Sequence, residues 1–342
     1  MNVPRQWIPF IGAVCAAFLL AFVGLQGMLR PVSTSPQPVH LVVIPEGATF
    51  RQVAVMLEQE HLIRSRWPFE LLGRITWSDR RIPAGEYALH AGMSSREILS
   101  DIIHGKIMLH AVTIPEGSTA AEIAGLLRQK GLADAGEFLR LVRDQDFIHT
   151  LDVQAPSLEG YLFPSTYQFA RPVKPRDVIK TMTTELWQTF TPDLRARARE
   201  MKMSVNQVLT LASVIEKETG VEAERGLVSA VFHNRLRLNI PLQSDPTVIY
   251  ALDGFDGNLR KRDLSVPSPY NTYRVKGLPP GPIANPGASS IRAALYPATG
   301  TYLYFVSRND GTHEFSSTLA AHNRAVEKYQ KRLTRRNGRV KA

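Results

Sequence analysis

Cysteine is nearly absent from this sequence, because the 342 residues include only Cys15. One cysteine excludes a disulfide within the chain and excludes the paired cysteines of a zinc site. The sequence also lacks an HExxH motif, a Gly-rich phosphate loop and a GxSxG element. His313 and His322 have no accompanying pair of carboxylates, so we expect no metal ion and no cofactor.

Acidic residues are missing from the end of the chain. Residues 328–342 carry seven basic side chains and no acidic one, and much of the net charge of +10 lies there. Such a run is usually solvated, and we treat residues 331–342 as a basic tail. No basic patch interleaved with aromatic residues occurs elsewhere, so we expect no nucleic-acid partner.

Charge is also absent from Ile8 to Leu25, and the apolar run continues, apart from Gln26, to Leu29. A run of this length predicts a transmembrane anchor over 8–29, after a cytoplasmic head of residues 1–7. Arg5 and Arg30 flank the run almost symmetrically, so the short head decides the orientation. We expect a single-pass protein of the inner membrane with its bulk in the periplasm.

A linker over 30–40 is followed by a repeat with a spacing of seventy residues. The segment VIPEGAT at 43–49 recurs as TIPEGST at 113–119. In each copy a strand ends in a Pro-Glu-Gly turn, and a helix with a capping box begins. The first module, 41–111, resembles LysM modules, which bind N-acetylglucosamine polymers. A small structural α/β module without a ligand is the alternative.

The second copy of the repeat begins a region over 112–175 that ends in an aromatic connector. The connector, SLEGYLFPSTY at 157–167, offers Glu159 and Tyr161 as candidate sugar-binding residues, because aromatic faces stack on sugar rings. A hydrophobic hinge between domains is the alternative. The residues 176–330 then form the third region, an α+β domain.

One amphipathic helix organises this third region. Ser204 and Gln207 form a capping box, and the apolar face that follows reaches Glu218. Glu216 points roughly 160° away from Glu218, at about 100° per residue. We therefore expect Glu218 on the buried side, with a raised pKa suited to a general acid, and Glu216 towards solvent. A simple ion pair between Glu218 and Arg225 is the alternative.

Polar residues on a second helix and on rigid loops follow. Asn234 lies on the apolar stripe of a helix over 224–238 and must be hydrogen-bonded if it is buried. Three Pro-rich loops present side chains that suit a ligand with many hydroxyl groups. The candidates on these loops are Gln243, Asp245, Thr247, Tyr270, Asn271 and Tyr273.

Several blocks together resemble the MltG/YceG family of endolytic murein transglycosylases, over about residues 41–330. The blocks are LASVIEKETG (211–220), VFHNRL (231–236), LQSDPTVIY (242–250), SPYNTY (268–273), GLPPGPIANPG (277–287) and YLYFV (302–306). The connector resembles the upstream element of that family, with Ser165 where an Asp is usual. The whole chain is thus expected to be α+β, with a transmembrane helix, LysM-like modules and a catalytic domain.

The resemblance implies a lyase that cleaves the β-1,4 bond between N-acetylmuramic acid and N-acetylglucosamine within glycan strands. Glu218 would act first as acid and then as base, and the product would end in a 1,6-anhydro ring. Tyr270, Asn271 and Tyr273 would position the substrate or Glu218, and Asp245 would support the substrate or its loop. A link to peptidoglycan synthases is also implied.

Two other functions stay open on the sequence alone. A non-catalytic scaffold would bind peptidoglycan through the LysM-like modules and release no products. A hydrolytic muramidase would leave reducing ends in place of anhydro ends.

Overall fold

A computed structural model describes the backbone of residues 8–77 and 82–331, with side chains from residue 13 to residue 330 within those ranges. The predicted head, 1–7, lies outside the described residues, as does the basic tail beyond its first residue. The described chain is α+β, as predicted, and its strands form three two-stranded sheets, β1–β2, β3–β4 and β5–β6.

The strands are short, and helices dominate. The strands are β1 (His40–Ile44), β2 (Gly85–Leu89), β3 (Leu109–Thr113), β4 (Thr166–Ala170), β5 (Tyr304–Ser307) and β6 (His313–Ser316). The first seven helices are α1 (Ile8–Met28), α2 (Phe50–Gln59), α3 (Arg66–Ile75), α4 (Ser95–Ile103), α5 (Ala120–Gln129), α6 (Ala135–Val142) and α7 (Gln145–His149). The remaining helices are α8 (Pro175–Thr189), α9 (Pro192–Glu200), α10 (Val205–Glu218), α11 (Glu222–Arg237), α12 (Asp245–Ala251), α13 (Ala288–Leu295) and α14 (Leu319–Val326).

The predicted membrane anchor over 8–29 is corrected by the structure. Helix α1 covers most of that run, but no helix among the described residues is both long and apolar enough to cross a membrane. The predicted location in the inner membrane, which rested on that anchor, is therefore not retained.

The chain divides into two compact units. The first unit contains the first copy of the repeat, in the order β1–α2–α3–β2–α4. Strands β1 and β2 are antiparallel, with His40 opposite Leu89 and Ile44 opposite Gly85. The capping box of Thr49 with Gln52 is confirmed. The apolar faces of these helices and strands form one continuous core.

The second unit comprises residues 112–167 and the described residues from 174 onward. Its first helices repeat the pattern of the first unit, and the capping box of Thr119 with Glu122 is confirmed. Gly47 and Gly117 end the two Pro-Glu-Gly turns with φ of +80° and +74°. Because glycine adopts this left-handed backbone at little cost, both turns end on it.

Helix α10 lies at the centre of the second unit, where it packs against α9, α11, α12 and α13. The predicted capping box of Ser204 with Gln207 is confirmed, and every residue from Val208 to Ile215 is buried. A helix that is buried on all sides belongs to the core of a domain rather than to its surface. Its carboxyl end, at Glu218, is thereby held in a fixed place.

A hairpin and a short helix complete the second unit. Strand β5 pairs with β6 in antiparallel register, with Phe305 opposite Phe315. Helix α14 is followed directly by one π-helical turn over Glu327–Lys331.

Candidate active site

Glu218, the last residue of α10, lines a polar cavity of about 290 Å³. The cavity brings four predicted site residues together, since Gln243, Asp245 and Tyr273 line it as well. Its other lining residues are Arg235, Leu242, Tyr304, Phe305 and His322. We call this cavity the Glu218 pocket.

Ser244 fixes the carboxyl group of Glu218. The Ser244 hydroxyl donates a hydrogen bond of 2.5 Å to Oε1 of Glu218. Ser244 is also the N-cap residue of α12, but its side chain makes no cap hydrogen bond there. The hydroxyl that would ordinarily satisfy a helix end is thus committed to Glu218.

The surroundings of Glu218 keep its carboxyl group neutral up to about pH 7. Burial is the main cause that raises its pKa, to about 7, and the negative charge of Asp245 acts in the same direction. The Ser244 hydrogen bond and the positive charge of Arg235 lower the pKa by smaller amounts. A carboxyl group that titrates near neutrality can donate a proton and later accept one.

Arg235 on α11 forms one wall of the Glu218 pocket and is itself buried. Its guanidinium donates to the carbonyl oxygens of Leu303, Pro241 and Leu242 at 2.7–3.0 Å. It also donates to Oε1 of Gln243 at 3.2 Å. These bonds tie α11 to the loop that carries Gln243 and fix a positive charge near Glu218.

Asp245, the first residue of α12, and Tyr273, on the SPYNTY loop, are joined at the pocket lining. The Tyr273 hydroxyl donates to Oδ1 of Asp245 at 2.6 Å. The backbone N–H of Gln243 donates to the carbonyl oxygen of Thr272, next to Tyr273, at 3.1 Å. The predicted loop residues on SPYNTY and LQSDPTVIY therefore meet, although the chain separates them by about thirty residues.

Thr247 and Asn271 are completely buried and support these loops from behind. The hydroxyl groups of Thr247 and Thr272 lie 2.8 Å apart. The Asn271 side-chain amide donates to the carbonyl oxygens of Leu264 and Val266 at 3.0 and 2.9 Å. The structure thus places both predicted residues beneath the loops and away from the surface of the pocket.

Glu159 and Tyr161 lie apart from the Glu218 pocket. Glu159 is buried and accepts hydrogen bonds from the Ala120 backbone N–H, the Asn285 amide and the Tyr250 hydroxyl. Burial raises the pKa of Glu159 to about 7. The Tyr161 hydroxyl donates to Oδ1 of Asn206 at 3.4 Å.

Tyr270 and Asn234 are also outside the Glu218 pocket. The ring of Tyr270 packs on Tyr250 with centroids 5.0 Å apart. The amide of Asn234 donates to the carbonyl oxygens of Gly300 and Tyr302 at 3.0 and 2.9 Å. The expectation that this polar residue on an apolar stripe is hydrogen-bonded is confirmed.

Glu216 corrects two expectations about α10. Its side chain is 5% exposed, so it does not face solvent. Oε1 of Glu216 pairs with Arg225 at 2.9 Å, and Oε2 accepts a hydrogen bond from the Gly287 backbone N–H at 2.9 Å. Arg225 is thus the partner of Glu216, and the alternative in which Arg225 neutralises Glu218 is wrong.

The sequence reasoning missed Ser244, Arg235, Tyr304 and His322. Ser244 and Arg235 lie inside the blocks that the sequence analysis singled out, and Ser244 precedes Asp-Pro as a helix N-cap would.

Within residues 8–77 and 82–331, no three His, Cys, Asp or Glu side chains converge as metal ligands would.

Comparisons with known proteins match nearly the whole chain. Residues 42–328 fit the model of the YceG-like family. A Bacillus subtilis protein named endolytic murein transglycosylase is 34% identical over 90% of this chain and 90% of its own length. A Streptococcus pneumoniae protein with the same name is 27% identical over 95% of this chain, which covers 64% of that protein. The crystal structure of a YceG-like protein from Listeria monocytogenes matches with a TM-score of 0.58, 34% identity, and coverage of 84% of this chain and 98% of that one.

Proposed function

This chain belongs to the YceG-like family, and we propose that it is an endolytic murein transglycosylase in which Glu218 serves as general acid and then as general base. Enzymes of that name are lyases that act on the glycan strands of peptidoglycan. The observation that carries the proposal is the raised pKa of Glu218, about 7, in a pocket that also holds Arg235 and Asp245.

The proposed reaction begins with Glu218 protonated. The carboxyl group gives its proton to the oxygen that joins C1 of N-acetylmuramic acid to C4 of N-acetylglucosamine. The C1–O bond breaks, and positive charge develops at C1 of the muramic sugar. Because Ser244 engages Oε1, the group has one fixed orientation for this step.

The second step regenerates the enzyme. The hydroxyl on C6 of the same muramic sugar attacks C1 and forms a 1,6-anhydro ring. Its proton passes to the Glu218 carboxylate, so the proton lost in the first step is replaced. No water is consumed, and one carboxylate alternates between acid and base.

The other predicted site residues fall into two groups. We propose that Gln243, Asp245 and Tyr273 contact the sugars, because they line the Glu218 pocket. Thr247, Asn271 and Tyr270 would hold the loops that carry them. Asn234 would do the same for the segment around Tyr302 through its two carbonyl contacts.

The first unit is proposed to bind the glycan strand as a LysM-like module. Its support is the order of strand, helix, helix and strand, with β1 and β2 antiparallel. Measuring its affinity for chitin oligosaccharides would test this role. A partnership with peptidoglycan synthases rests on the family resemblance alone.

The test of the proposed activity is mass spectrometry of fragments released from purified peptidoglycan. We expect internal fragments that end in 1,6-anhydromuramic acid with the unchanged protein and none with Glu218→Gln. If the protein bound peptidoglycan but released no fragments, the non-catalytic scaffold would be favoured. Equal activity of the variant would remove Glu218 from the mechanism.

The second candidate function is hydrolysis of the glycan strand, and one observation favours it. Asp245 supplies a second carboxyl group in the Glu218 pocket, as most glycoside hydrolases require. A hydrolase would leave reducing ends, so the same fragments distinguish the two reactions.

A further inference from the structure

A second and larger cavity adjoins the Glu218 pocket within the second unit. It has a volume of about 680 Å³ and lies among α5, α6 and α12. We call it the Tyr250 groove and define it by six of its lining residues, namely Leu139, Arg143, Lys217, Ile249, Tyr250 and Phe255. Its volume is within the usual range of ligand pockets.

Two pairs of consecutive residues separate the groove from the pocket. Lys217 lines the groove, and Glu218 lines the pocket. Pro246 lines the groove, and Asp245 lines the pocket. Because consecutive Cα atoms are about 3.8 Å apart, the linings of the two cavities come together at these two places in the chain.

The groove offers charges of both signs beside apolar and aromatic surface. Arg143 and Lys217 are exposed cations, and Glu122 and Asp253 are exposed anions on the same lining. The Lys217 ammonium also donates to the Gly117 carbonyl oxygen at 3.2 Å. Within the described part of the chain, no hydrogen bond or ion pair engages the guanidinium of Arg143. Leu139, Ile249 and the exposed ring of Phe255 supply the apolar part.

The floor of the groove is fixed. The Tyr250 hydroxyl donates to Oε2 of Glu159 at 3.4 Å, and its ring packs on Tyr270. Glu159 in turn accepts from the Ala120 backbone N–H at the start of α5. A preformed floor of this kind costs little ordering entropy when a ligand binds.

We propose that the Tyr250 groove binds the peptide stem of the muramic acid held at Glu218. This proposal rests on the proposed function. An N-acetylglucosamine chain is uncharged, whereas a stem peptide carries carboxylates, a side chain with an amine and small apolar residues. Arg143 and Lys217 match the carboxylates, and Asp253 matches the amine. The stem branches from the muramic sugar itself, so it must leave the pocket close to the reacting bond.

Two substrates test the proposal, namely glycan strands with their stems and the same strands after an amidase has removed the stems. We expect Arg143→Glu to lower kcat/KM at least about fivefold on strands with stems, because an attraction becomes a repulsion. On stripped strands we expect no change. Arg128→Glu is the matched control, since Arg128 is an exposed residue of α5 outside the groove lining. An equal loss on both substrates, or no loss on strands with stems, would overturn the proposal.

A binding measurement separates this proposal from the proposed activity. Calorimetric titration with a free stem pentapeptide requires no turnover. Binding to the unchanged protein that is weakened in Arg143→Glu would support the groove even if no fragments were released. Absent binding, or binding of equal strength in the variant, would overturn it even if the lyase activity were established.

Discussion

The Ser244 hydroxyl lies 2.5 Å from Oε1 of Glu218 and donates a hydrogen bond to it. The two residues are 26 positions apart, and one ends α10 while the other precedes α12. The bond therefore fixes both the orientation of the carboxyl group and the approach of the loop that carries Gln243 and Asp245. In the proposed mechanism it lowers the pKa of a group whose burial raises it.

Ser244→Ala should shift the pH dependence of the reaction. The general acid must be protonated, so kcat/KM should fall as the pH rises through about 7. Loss of the hydrogen bond removes an influence that lowers the pKa of Glu218, so that fall should move to higher pH. The rate below it should drop about tenfold, because the carboxyl group loses its fixed orientation.

The measurement is kcat/KM against pH on isolated glycan strands. Ser265→Ala is the control, because the Ser265 hydroxyl bonds to the Arg262 carbonyl oxygen and has no contact with Glu218. An unshifted profile in Ser244→Ala would show that Ser244 does not set the pKa of Glu218.

Glu216→Gln should destabilise the protein more than Glu218→Gln does. The side chains of Glu216 and Arg225 are 5% and 11% exposed, so loss of the negative charge leaves the largely buried Arg225 beside a neutral amide, with Glu116 at 3.6 Å as its remaining acidic partner. We expect the free energy of unfolding to fall by about 1–3 kcal/mol. Glu218→Gln should instead raise it near neutral pH, because the unfolded carboxyl group of Glu218 is ionised above about pH 4.5 whereas the folded one, with a pKa of about 7, is not, and Gln removes this loss of stability.

Denaturant unfolding at pH 6.5, chosen as about half a unit below the pKa of Glu218, compares the two variants directly. Equal unfolding midpoints would mean that the pair of Glu216 with Arg225 contributes little to stability.

Much of α10 could be predicted from its sequence, because capping boxes and apolar periodicity depend on neighbouring residues. Ser204 with Gln207 is such a case. The partners of Glu216 could not be predicted, since Gly287 approaches it from 71 positions away. A helical wheel separates Glu216 from Glu218 by angle, but it cannot reveal that both faces of the helix are covered.

Glu159→Gln should flatten the dependence of stability on pH. The pKa of Glu159 is about 7 in the folded protein against an ordinary value of 4.5. The folded state thus binds the proton more tightly, and the stability this provides is present below about pH 4.5 and lost as the pH rises through about 7. The variant lacks this loss, so its slope should be shallower by up to ~1.4 kcal/mol per pH unit.

Unfolding free energies at several pH values between 4.5 and 8 give the slopes. Glu137→Gln, at an exposed position in the first turn of α6, should retain the slope of the unchanged protein. If Glu159→Gln had the same slope of stability against pH as the unchanged protein, the raised pKa of Glu159 would be contradicted.

Gly160→Ala should lower the stability of the folded protein, whereas Gly125→Ala should raise it. Gly160 has a φ of +85°, and a Cβ there would lie 2.3 Å from Cγ of Pro282, whose ring cannot move aside. We expect a loss of more than about 1 kcal/mol. Gly125 lies inside α5 with nothing within 4 Å of an added Cβ, so alanine there should stabilise by about 0.5–1 kcal/mol. Thermal melting compares the two, and a neutral Gly160→Ala would show that the connector tolerates a shift at Pro282.

The most direct test of the proposed mechanism is the mass of the chain ends released from peptidoglycan in water enriched with ¹⁸O. An intramolecular attack by the C6 hydroxyl uses no water, so we predict 1,6-anhydro ends without the label, and no ends from Glu218→Gln. Reducing ends that carry ¹⁸O would contradict the lyase mechanism and establish hydrolysis.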